Sequence, residues 1–314
     1  MKNVIVTGGA GFIGSHIVEE LLQHQYQVTV IDNFSTGRIE HIQHLPINLY
    51  DYDITNPQVI DLIASLRPDY LIHQAAQVSV ADSVKDLLHD EQVNVKGSLH
   101  MIKAAIIAGV EKLVFASSAA VYGNPVELPI SVEHPTRPES PYGLSKLTVE
   151  HYLTMANKFY QLPYSILRYS NVYGPRQDAK GEGGVVAIFS DRLSENKAPL
   201  IFGDGNQTRD FVYVKDVARA NVKALLPEEN VCVNVSSGTS VTINELFQYM
   251  KNIADSHVNA IHQQERPGDI RDSFLCNKET KSLLQWEPAV ELVQGLKETL
   301  HYAHTYKDVE HLYG

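Results

Sequence analysis

The sequence contains little cysteine and no long apolar run. Its 2 cysteines, Cys232 and Cys276, cannot build a disulfide framework and are typical of a reducing compartment. No apolar stretch approaches the roughly 18 residues of a membrane-spanning helix. Met1 and Lys2 lead almost directly into the first predicted strand, which leaves no room for a secretory signal peptide. We therefore expect a cytoplasmic protein with no membrane partner.

Positive charge is also scarce. The chain has 26 basic and 37 acidic side chains, a formal net charge of −11. Nucleic-acid-binding proteins carry basic surfaces, so we expect no nucleic-acid partner. An anionic substrate stays possible, because a few local arginines can hold a diphosphate. The 314 residues, of which 44% are hydrophobic, suffice for one large core or two lobes.

A glycine-rich stretch follows the first apolar run, in the sequence Val4-Ile5-Val6-Thr7-Gly8-Gly9-Ala10-Gly11-Phe12-Ile13-Gly14. Gly8 can take the tight turn out of a strand, Gly11 lets a diphosphate approach the backbone, and Gly14 lets the next helix pack closely. The N-terminus of that helix offers unpaired N–H groups and a partial positive charge. This context predicts a dinucleotide-binding turn.

Asp32 ends a second apolar run, residues 28–31, at the spacing expected after such a turn. A carboxylate there can accept hydrogen bonds from both hydroxyls of an adenosine ribose and repels a 2′-phosphate, which favours NAD over NADP. The alternative is an ordinary strand–turn–helix with a solvated aspartate. Arg38 would weaken the exclusion of NADP, although a lone surface arginine is the simpler interpretation.

Apolar runs alternate with helical patterns over the first half of the chain. Strands are predicted at 3–7, 27–31, 48–53, 70–74, 112–117 and 164–169, and helices at 12–24, 57–66, 89–108 and 142–160. Strands that are apolar throughout and separated by helices indicate a parallel sheet covered on both faces. We therefore predict an α/β fold with a Rossmann-type, doubly wound parallel sheet.

The sequence changes character after residue 171, where longer loops carry glycine and proline. We predict an NAD-binding domain over residues 1–172 and a smaller C-terminal α/β substrate lobe over 173–314. Residues 206–236 form a stretch that can partly return to the first domain. Helices are predicted near 278–284 and over 290–306.

Tyr142 and Lys146 are four residues apart at the start of a predicted helix, so they share one helical face. A phenol has a pKa of about 10, and one unit corresponds to about 1.36 kcal/mol. To bring this pKa close to 7, neighbouring positive charge must favour the phenolate by roughly 4 kcal/mol. Tyr142 could then accept a proton from a sugar hydroxyl while hydride leaves the same carbon. By itself, the pair also fits an ordinary helix surface.

Ser118 lies at the end of the fifth predicted strand, in the stretch Phe115-Ala116-Ser117-Ser118-Ala119-Ala120-Val121-Tyr122-Gly123. Its hydroxyl could bridge the reacting oxygen and Tyr142 in a short proton relay. The alternative is a pair of serines that merely ends a strand. The glycine turn, the serine and the Tyr–Lys pair together, in this order, favour the relay.

The combined motifs resemble the extended short-chain dehydrogenase/reductases, and more narrowly the UDP-sugar 4-epimerases. The similarity covers nearly the whole chain. It is carried by residues 7–14, 32–33, 73–76, 115–123, 142–146, 168–175, 203–216 and 284–288.

The resemblance implies an acid–base role for Tyr142, with Lys146 holding the nicotinamide ribose and Ser118 assisting. It also implies NAD as cofactor. The residues expected to line the NAD site are Gly8, Gly11, Phe12, Ile13, Gly14, Asp32, Asn33, Thr36, Gly37, Asp53, Ile54, Ala75, Ala76, Asn94, Tyr142, Lys146 and Tyr169. It implies that a UDP-sugar substrate is held by Ser118, Tyr142, Asn171, Arg209, Arg266, Asp269 and Ser273. Arginine suits this task because guanidinium pairs with phosphate through two parallel hydrogen bonds. No metal site is predicted.

The resemblance also implies a mechanism and an assembly. Hydride passes from C4 of the sugar to NAD, the 4-keto sugar turns about its diphosphate, and hydride returns to the opposite face. Since NAD is regenerated in each turn, tightly held cofactor is expected. A homodimer is implied, in which helices 89–108 and 142–160 meet their copies.

Two departures bear on the substrate. Related dehydratases carry an Asp-Glu pair where this chain has Ala119 and Ala120, so dehydration is disfavoured. Ser273 stands where some hexose-only epimerases carry a bulky tyrosine, so UDP-N-acetylglucosamine is a candidate beside UDP-glucose. UDP-glucuronate stays open as well, because Arg176, Arg192 or Arg271 could meet a carboxylate.

Two other hypotheses remain at this point. The first is another nucleotide-sugar reaction on the same scaffold: glucuronate epimerisation, decarboxylation or dehydration. The second is a non-catalytic NAD-binding regulatory protein, which we would expect to lose Tyr142 or Lys146. Both residues are present, which favours an enzyme.

Overall fold

The first half of the chain forms a parallel sheet flanked by helices. The computed structural model describes residues 1–179, 184–265 and 270–313, with side chains up to residue 305. Its strands are β1 (Asn3–Thr7), β2 (Gln27–Asp32), β3 (Asn48–Asp51), β4 (Tyr70–His73), β5 (Lys112–Ser118), β6 (Tyr164–Tyr169), β7 (Asn171–Tyr173), β8 (Leu200–Phe202), β9 (Thr208–Arg209), β10 (Phe211–Tyr213), β11 (Val231–Val235), β12 (Val241–Thr242), β13 (Ile261–Gln263) and β14 (Asp272–Ser273).

The helices alternate with these strands. They are α1 (Phe12–Gln23), α2 (Val59–Leu66), α3 (Val80–Lys85), α4 (Leu87–Asp90), α5 (Ser98–Ala108), α6 (Pro141–Tyr160), α7 (Val185–Ser194), α8 (Val214–Lys223), α9 (Ile243–Ile253), α10 (Lys278–Leu283) and α11 (Leu292–Tyr313). A membrane-spanning helix needs a long, nearly uncharged apolar stretch, and none of the helices within the described residues has one.

Within the described residues the main sheet has seven strands, in the order β11-β6-β5-β4-β1-β2-β3. All six neighbouring pairs are parallel. The chain winds outward from β1 in both directions, so a crevice opens where β1 and β4 diverge at their carboxyl ends. The predicted α/β, doubly wound fold is confirmed. β11 comes from the 206–236 stretch and pairs with β6.

Helices cover both faces of the sheet. α1 and α8 pack together on one face, and α2, α5 and α6 lie on the other. The strands are therefore apolar on both sides; in β1, Val4, Ile5 and Val6 are all buried. Further along the chain, α7, α9 and α11 pack around a third apolar cluster. There β9 lies between β12 and β14.

The prediction of one continuous α-helix over 89–108 is wrong in detail. α4 ends at Asp90, a wider helical turn with π-type bonding covers Glu91–Gly97, and α5 begins at Ser98. The Ser98 hydroxyl donates a hydrogen bond to the carbonyl oxygen of Asn94 (2.5 Å) and so competes with the backbone ladder. Sequence periodicity does not reveal such a turn. We call Glu91–Gly97 the wide turn.

A buried ion pair fixes α6 to the sheet. The guanidinium of Arg168 on β6 donates to both carboxylate oxygens of Glu150 on α6, at 2.9 and 2.6 Å. Arg168 also donates to the Tyr122 hydroxyl (3.0 Å), and the Ser117 hydroxyl donates to Glu150 (2.5 Å). Arg168 and Glu150 are 7% and 5% exposed. Removing one partner would leave the other charge buried and unpaired.

We predict that Arg168→Met lowers the free energy of unfolding by about 3–5 kcal/mol, because Glu150 would keep its charge without a counter-ion. The midpoint of urea unfolding, followed by circular dichroism, measures the change. Lys85→Met is the control, since it removes an exposed ion pair with Asp82 and should leave the midpoint nearly unchanged. An Arg168→Met midpoint equal to that of the unmodified protein would contradict this account.

Candidate active site

Two neighbouring clefts open at the carboxyl ends of the parallel strands. The first lies between the turn after β1, the end of β2 and the segment after β4. The predicted cofactor residues that line it are Gly8, Gly11, Phe12, Ile13, Gly14, Asp32, Asn33, Thr36, Gly37, Ile54, Ala75 and Ala76. These residues are separated in sequence, and the sheet brings them to one edge.

The turn after β1 accepts only glycine at two positions. Gly8 has a φ of +69°, and a Cβ there would lie 2.7 Å from the backbone nitrogen of Ala75. A Cβ on Gly14 would lie 2.0 Å from the carbonyl oxygen of Gly8. Gly11 is the N-cap of α1 and supplies no capping side chain, so the first N–H groups of the helix are available to an anion. This cradle fits the diphosphate of a dinucleotide.

Asp32 ends β2 at the floor of the first cleft. Its carboxylate accepts hydrogen bonds from the backbone N–H groups of Ala10 (2.8 Å) and Phe34 (2.9 Å). Burial raises the pKa of Asp32, although these two bonds favour the ionised form. The side chain is therefore held in one orientation, with lone pairs left for ribose hydroxyls.

The second cleft lies beyond the ends of β5, β6 and β7. Ser118, Tyr142, Tyr169 and Asn171 line it, as do residues of α7. Phe12, Ile13 and Val78 border both clefts, so the two are continuous. The structure therefore places the predicted catalytic hydroxyls next to the predicted dinucleotide cleft.

Lys146 lies beneath Tyr142 and is 4% exposed. Its Nζ donates a hydrogen bond to the carbonyl oxygen of Ala116 (3.0 Å) and lies 5.8 Å from the centre of the Tyr142 ring. Burial lowers the pKa of Lys146 to about 8, and the charge of Asp90 opposes this shift. A buried ammonium at this distance favours the ionised form of a phenol. The pair has the composition needed for proton transfer near neutral pH.

Some predicted cofactor residues do not line the first cleft. Asp53 accepts a hydrogen bond from the Asn33 side chain (3.0 Å), so it supports a lining residue. Asn94, 2% exposed, lies in the wide turn and donates to the Gln77 carbonyl (2.9 Å). Direct NAD contacts by these two residues stay predictions.

The residues predicted to hold the nucleotide lie partly within the described chain. Arg209 and Ser273 are register partners on β9 and β14, and Asn171 pairs with Phe211. The guanidinium of Arg209 donates to the carbonyl oxygen of Thr208 (2.8 Å). Arg209 and Ser273 line neither cleft. Arg266 and Asp269 lie outside the described residues.

Buried polar residues that the sequence analysis missed connect these segments. Asp210, 1% exposed, accepts hydrogen bonds from the side chains of Ser170 (3.2 Å) and Ser237 (2.8 Å). The amide of Gln74 donates to the Tyr169 hydroxyl (3.0 Å), so one side chain joins the two clefts. Asp210 directly follows Arg209, and Gln74 directly follows β4, which is the signal that could have identified them.

Comparison with known proteins agrees with this geometry. The model of the NAD dependent epimerase/dehydratase family matches residues 4–235. The chain belongs to this family. NAD is therefore the cofactor, and the glycine cradle with Asp32 fits it.

Full-length relatives of the family resemble the chain closely. The UDP-glucose 4-epimerase of Mycolicibacterium smegmatis is 39% identical over 305 residues, 95% of this chain and 97% of the relative. The UDP-glucose 4-epimerase of Thermotoga maritima, solved with UDP-glucose, has a TM-score of 0.94 at 42% identity, covering 98% and 99% of the two chains. The UDP-N-acetylglucosamine 4-epimerase of Methanobrevibacter ruminantium, solved with UDP-N-acetylmuramic acid, has a TM-score of 0.93 at 35% identity, covering 97% and 99%.

We predict that Gly14→Ala reduces the NAD content at least about tenfold, equivalent to about 1.4 kcal/mol, because its Cβ would displace α1 from Gly8. NAD released by denaturing a known amount of purified protein measures the change. Gly109→Ala is the control: its φ of +69° strains any side chain, but no atom lies within 4 Å of the added Cβ. It should lose stability and keep NAD. Equal NAD in Gly14→Ala and the unmodified protein would refute the assignment of the cradle.

Proposed function

We propose that this protein is an NAD-dependent UDP-sugar 4-epimerase that acts through a 4-keto sugar. The observation that carries the proposal is the position of Tyr142 and Lys146. Tyr142 lines the second cleft, which borders the dinucleotide cleft, and Lys146 lies buried beside the Tyr142 ring on the same face of α6. The relatives named UDP-glucose 4-epimerase support the choice of reaction.

Each of these residues would have its own role in the reaction. Tyr142 accepts the proton of the sugar 4-hydroxyl and returns it after the carbonyl has turned. Lys146 stabilises the phenolate by its positive charge and binds the nicotinamide ribose. Ser118, at the end of β5, donates a hydrogen bond to the reacting oxygen. NAD supplies the hydride acceptor and donor when bound.

The nucleotide would be held by residues from the second half of the chain. Asn171 lies in the wall of the second cleft. Arg209 would pair with the diphosphate, since guanidinium matches phosphate oxygens in geometry and charge. The resemblance adds Arg266 and Asp269 to this group.

We propose UDP-glucose and UDP-galactose as substrates, with UDP-N-acetylglucosamine and UDP-N-acetylgalactosamine as further candidates. Ser273 lines neither cleft, and the resemblance alone places its small side chain near the sugar, where it would leave space for an N-acetyl group. One relative is named a UDP-N-acetylglucosamine 4-epimerase.

UDP-glucuronate ranks lower. Arg176 donates to Ser15 (3.0 Å) and Glu19 (2.5 Å), and Arg271 forms a bidentate pair with Asp204 (2.9 and 3.0 Å). Both guanidinium groups are thus occupied by this chain's own side chains.

Two other functions are less well supported. In a dehydratase, further acid–base groups beside Ser118 would be needed, and the chain carries Ala119 and Ala120 there, in a short 3-10 turn. A non-catalytic NAD-binding protein would have no use for a buried Lys146 beneath Tyr142.

We predict that Tyr142→Phe lowers turnover at least about a hundredfold, because general acid–base catalysis contributes about that much or more. The unmodified protein should interconvert UDP-glucose and UDP-galactose without added NAD, with products read by NMR. Tyr152→Phe is the control, since Tyr152 is an exposed tyrosine of the same helix. A Tyr142→Phe variant as active as the control would sink the proposal.

The same assay decides the substrate. UDP-N-acetylglucosamine should be converted as well, and UDP-glucuronate poorly. If both N-acetyl sugars fail while UDP-glucose turns over, the Ser273 argument is wrong. Net consumption of NAD would point to an oxidoreductase instead.

We also propose a cytoplasmic homodimer. Leu144, Tyr152, Met155 and Phe159 form an exposed apolar stripe on α6, opposite the face that packs on the sheet. An isolated surface seldom carries such a stripe, and two copies could pack their α5 and α6 helices as a four-helix bundle.

We predict that Phe159→Glu yields a monomer, because it places a charge in the apolar stripe. Light scattering after size-exclusion chromatography measures the mass. Leu226→Glu is the matched control: both side chains are 67% exposed, but Leu226 follows α8, away from the stripe. A dimeric Phe159→Glu protein, or a monomeric unmodified one, would disprove this interface.

A further inference from the structure

Asp90 is a buried carboxylate without a counter-ion in contact. Only 2% of the residue is exposed. In the part of the chain that the structure describes, no lysine, arginine or histidine forms an ion pair with it. Burying an unpaired charge is costly. The position of this charge therefore calls for a reason beyond folding.

Hydrogen bonds link Asp90 to the helix that carries Tyr142 and Lys146. Its Oδ1 accepts from the side-chain amides of Gln77 (2.9 Å) and Asn94 (3.0 Å). The same Asn94 amide lies 3.3 Å from the hydroxyl of Ser145, the residue before Lys146. The wide turn thus holds the carboxylate against α6.

Lys146, the residue after Ser145, is the buried cation on which the charge of this carboxylate acts. Burial alone would favour neutral lysine, and the charge of Asp90 favours the ammonium. The charge of Lys146 acts on the His73 ring as well, but burial lowers the pKa of His73 to about 3, so the ring is neutral. Its ring nitrogens are bonded to Thr7 (2.7 Å) and Ser98 (2.9 Å).

The other titratable side chains on the packed elements are exposed, half-buried or already paired. They are Asp82 and Lys85 on α3, Asp86 and His89 at α4, Glu91 and Lys96 on the wide turn, His100 and Lys103 on α5, and Glu150, His151, Tyr152, Lys158 and Tyr160 on α6. Glu150 is neutralised by Arg168. Asp90 is thus the buried, uncompensated anion of this region.

We propose that Asp90 is a positioning residue for the epimerase reaction, whose charge keeps Lys146 protonated beneath Tyr142. The proposal rests on the proposed function of Tyr142 and Lys146 and adds the group that maintains their charge state. Asp90 does not line either cleft, so it acts through Lys146 rather than on the substrate.

Asp90→Asn, which keeps the shape and removes the charge, is the decisive variant. Without the anion, Lys146 loses its proton at lower pH, and the phenol of Tyr142, with less cation beside it, ionises at higher pH. The alkaline limb of kcat for UDP-glucose should move down by about one pH unit, whereas the acid limb, where Lys146 is protonated in both proteins, should stay in place. At a pH above the alkaline limb, kcat should fall about tenfold.

Glu91→Gln is the matched control, because it removes an exposed negative charge from the neighbouring position. Its pH profile should equal that of the unmodified holoenzyme. Asp90→Glu keeps the charge and alters the packing, so its limbs should stay near their original positions even if kcat falls. An alkaline limb that stays in place in Asp90→Asn, or moves alike in Asp90→Asn and Asp90→Glu, would overturn the proposal.

A second readout does not require turnover. The tyrosinate difference absorbance, with Tyr142→Phe versions of each protein as reference, reports the ionisation of Tyr142 directly. It should shift to higher pH in Asp90→Asn and stay in place in Glu91→Gln. If the unmodified protein converts no UDP-sugar, the proposed function fails, and this titration still decides the role of Asp90.

If Asp90→Asn does not fold, Gln77→Leu replaces it. Gln77 donates to the ionised carboxylate, so its removal leaves more of the Asp90 charge uncompensated and should move the alkaline limb up by a small amount. An unmoved alkaline limb in a folded Gln77→Leu protein would then overturn the proposal.

Discussion

The buried ion pair between Glu150 and Arg168 fixes α6 on the sheet, and the arrangement of the site depends on it. Tyr142, Lys146 and Glu150 follow one another at intervals of four residues, so they share one face of α6. The pair is bidentate and also bonded to Ser117 and Tyr122, which leaves the helix little freedom to rotate or slide. The interaction that anchors the helix therefore also sets where the phenol and the ammonium lie.

Two clefts with different chemistry meet at Phe12 and Ile13 of α1, and Tyr142 of α6 lines the second. The first is built from backbone: a turn with no room for side chains, an open helix N-terminus, and Asp32 held by two N–H groups. Such a site binds a diphosphate and a ribose. The second is built from side chains, with the hydroxyls of Ser118 and Tyr142 at its wall. Because the clefts share Phe12, Ile13 and Val78, a sugar in one can reach a nicotinamide in the other.

Burial sets the protonation of the ionisable side chains near Tyr142. Lys146 is buried, which lowers its pKa to about 8, within range of physiological titration. His73, on the neighbouring strand, is kept neutral by the same burial and does not compete as a cation. The guanidinium groups of Arg176 and Arg271 are paired with the carboxylates of Glu19 and Asp204.

Local patterns were sufficient to predict the fold class, six strands of the sheet within two residues, the glycine turn, Asp32 and the Tyr142–Lys146 pair. Each of these depends on residues close in sequence: apolar runs set strands, glycine sets the turn, and a spacing of four sets a helical face. Tertiary structure alone revealed the wide turn, the Glu150–Arg168 pair and the hydrogen bonds that link Asp90 to α6 through Asn94. These features join residues distant in sequence, and the free energy of a buried charge depends on neighbours that only the folded chain supplies.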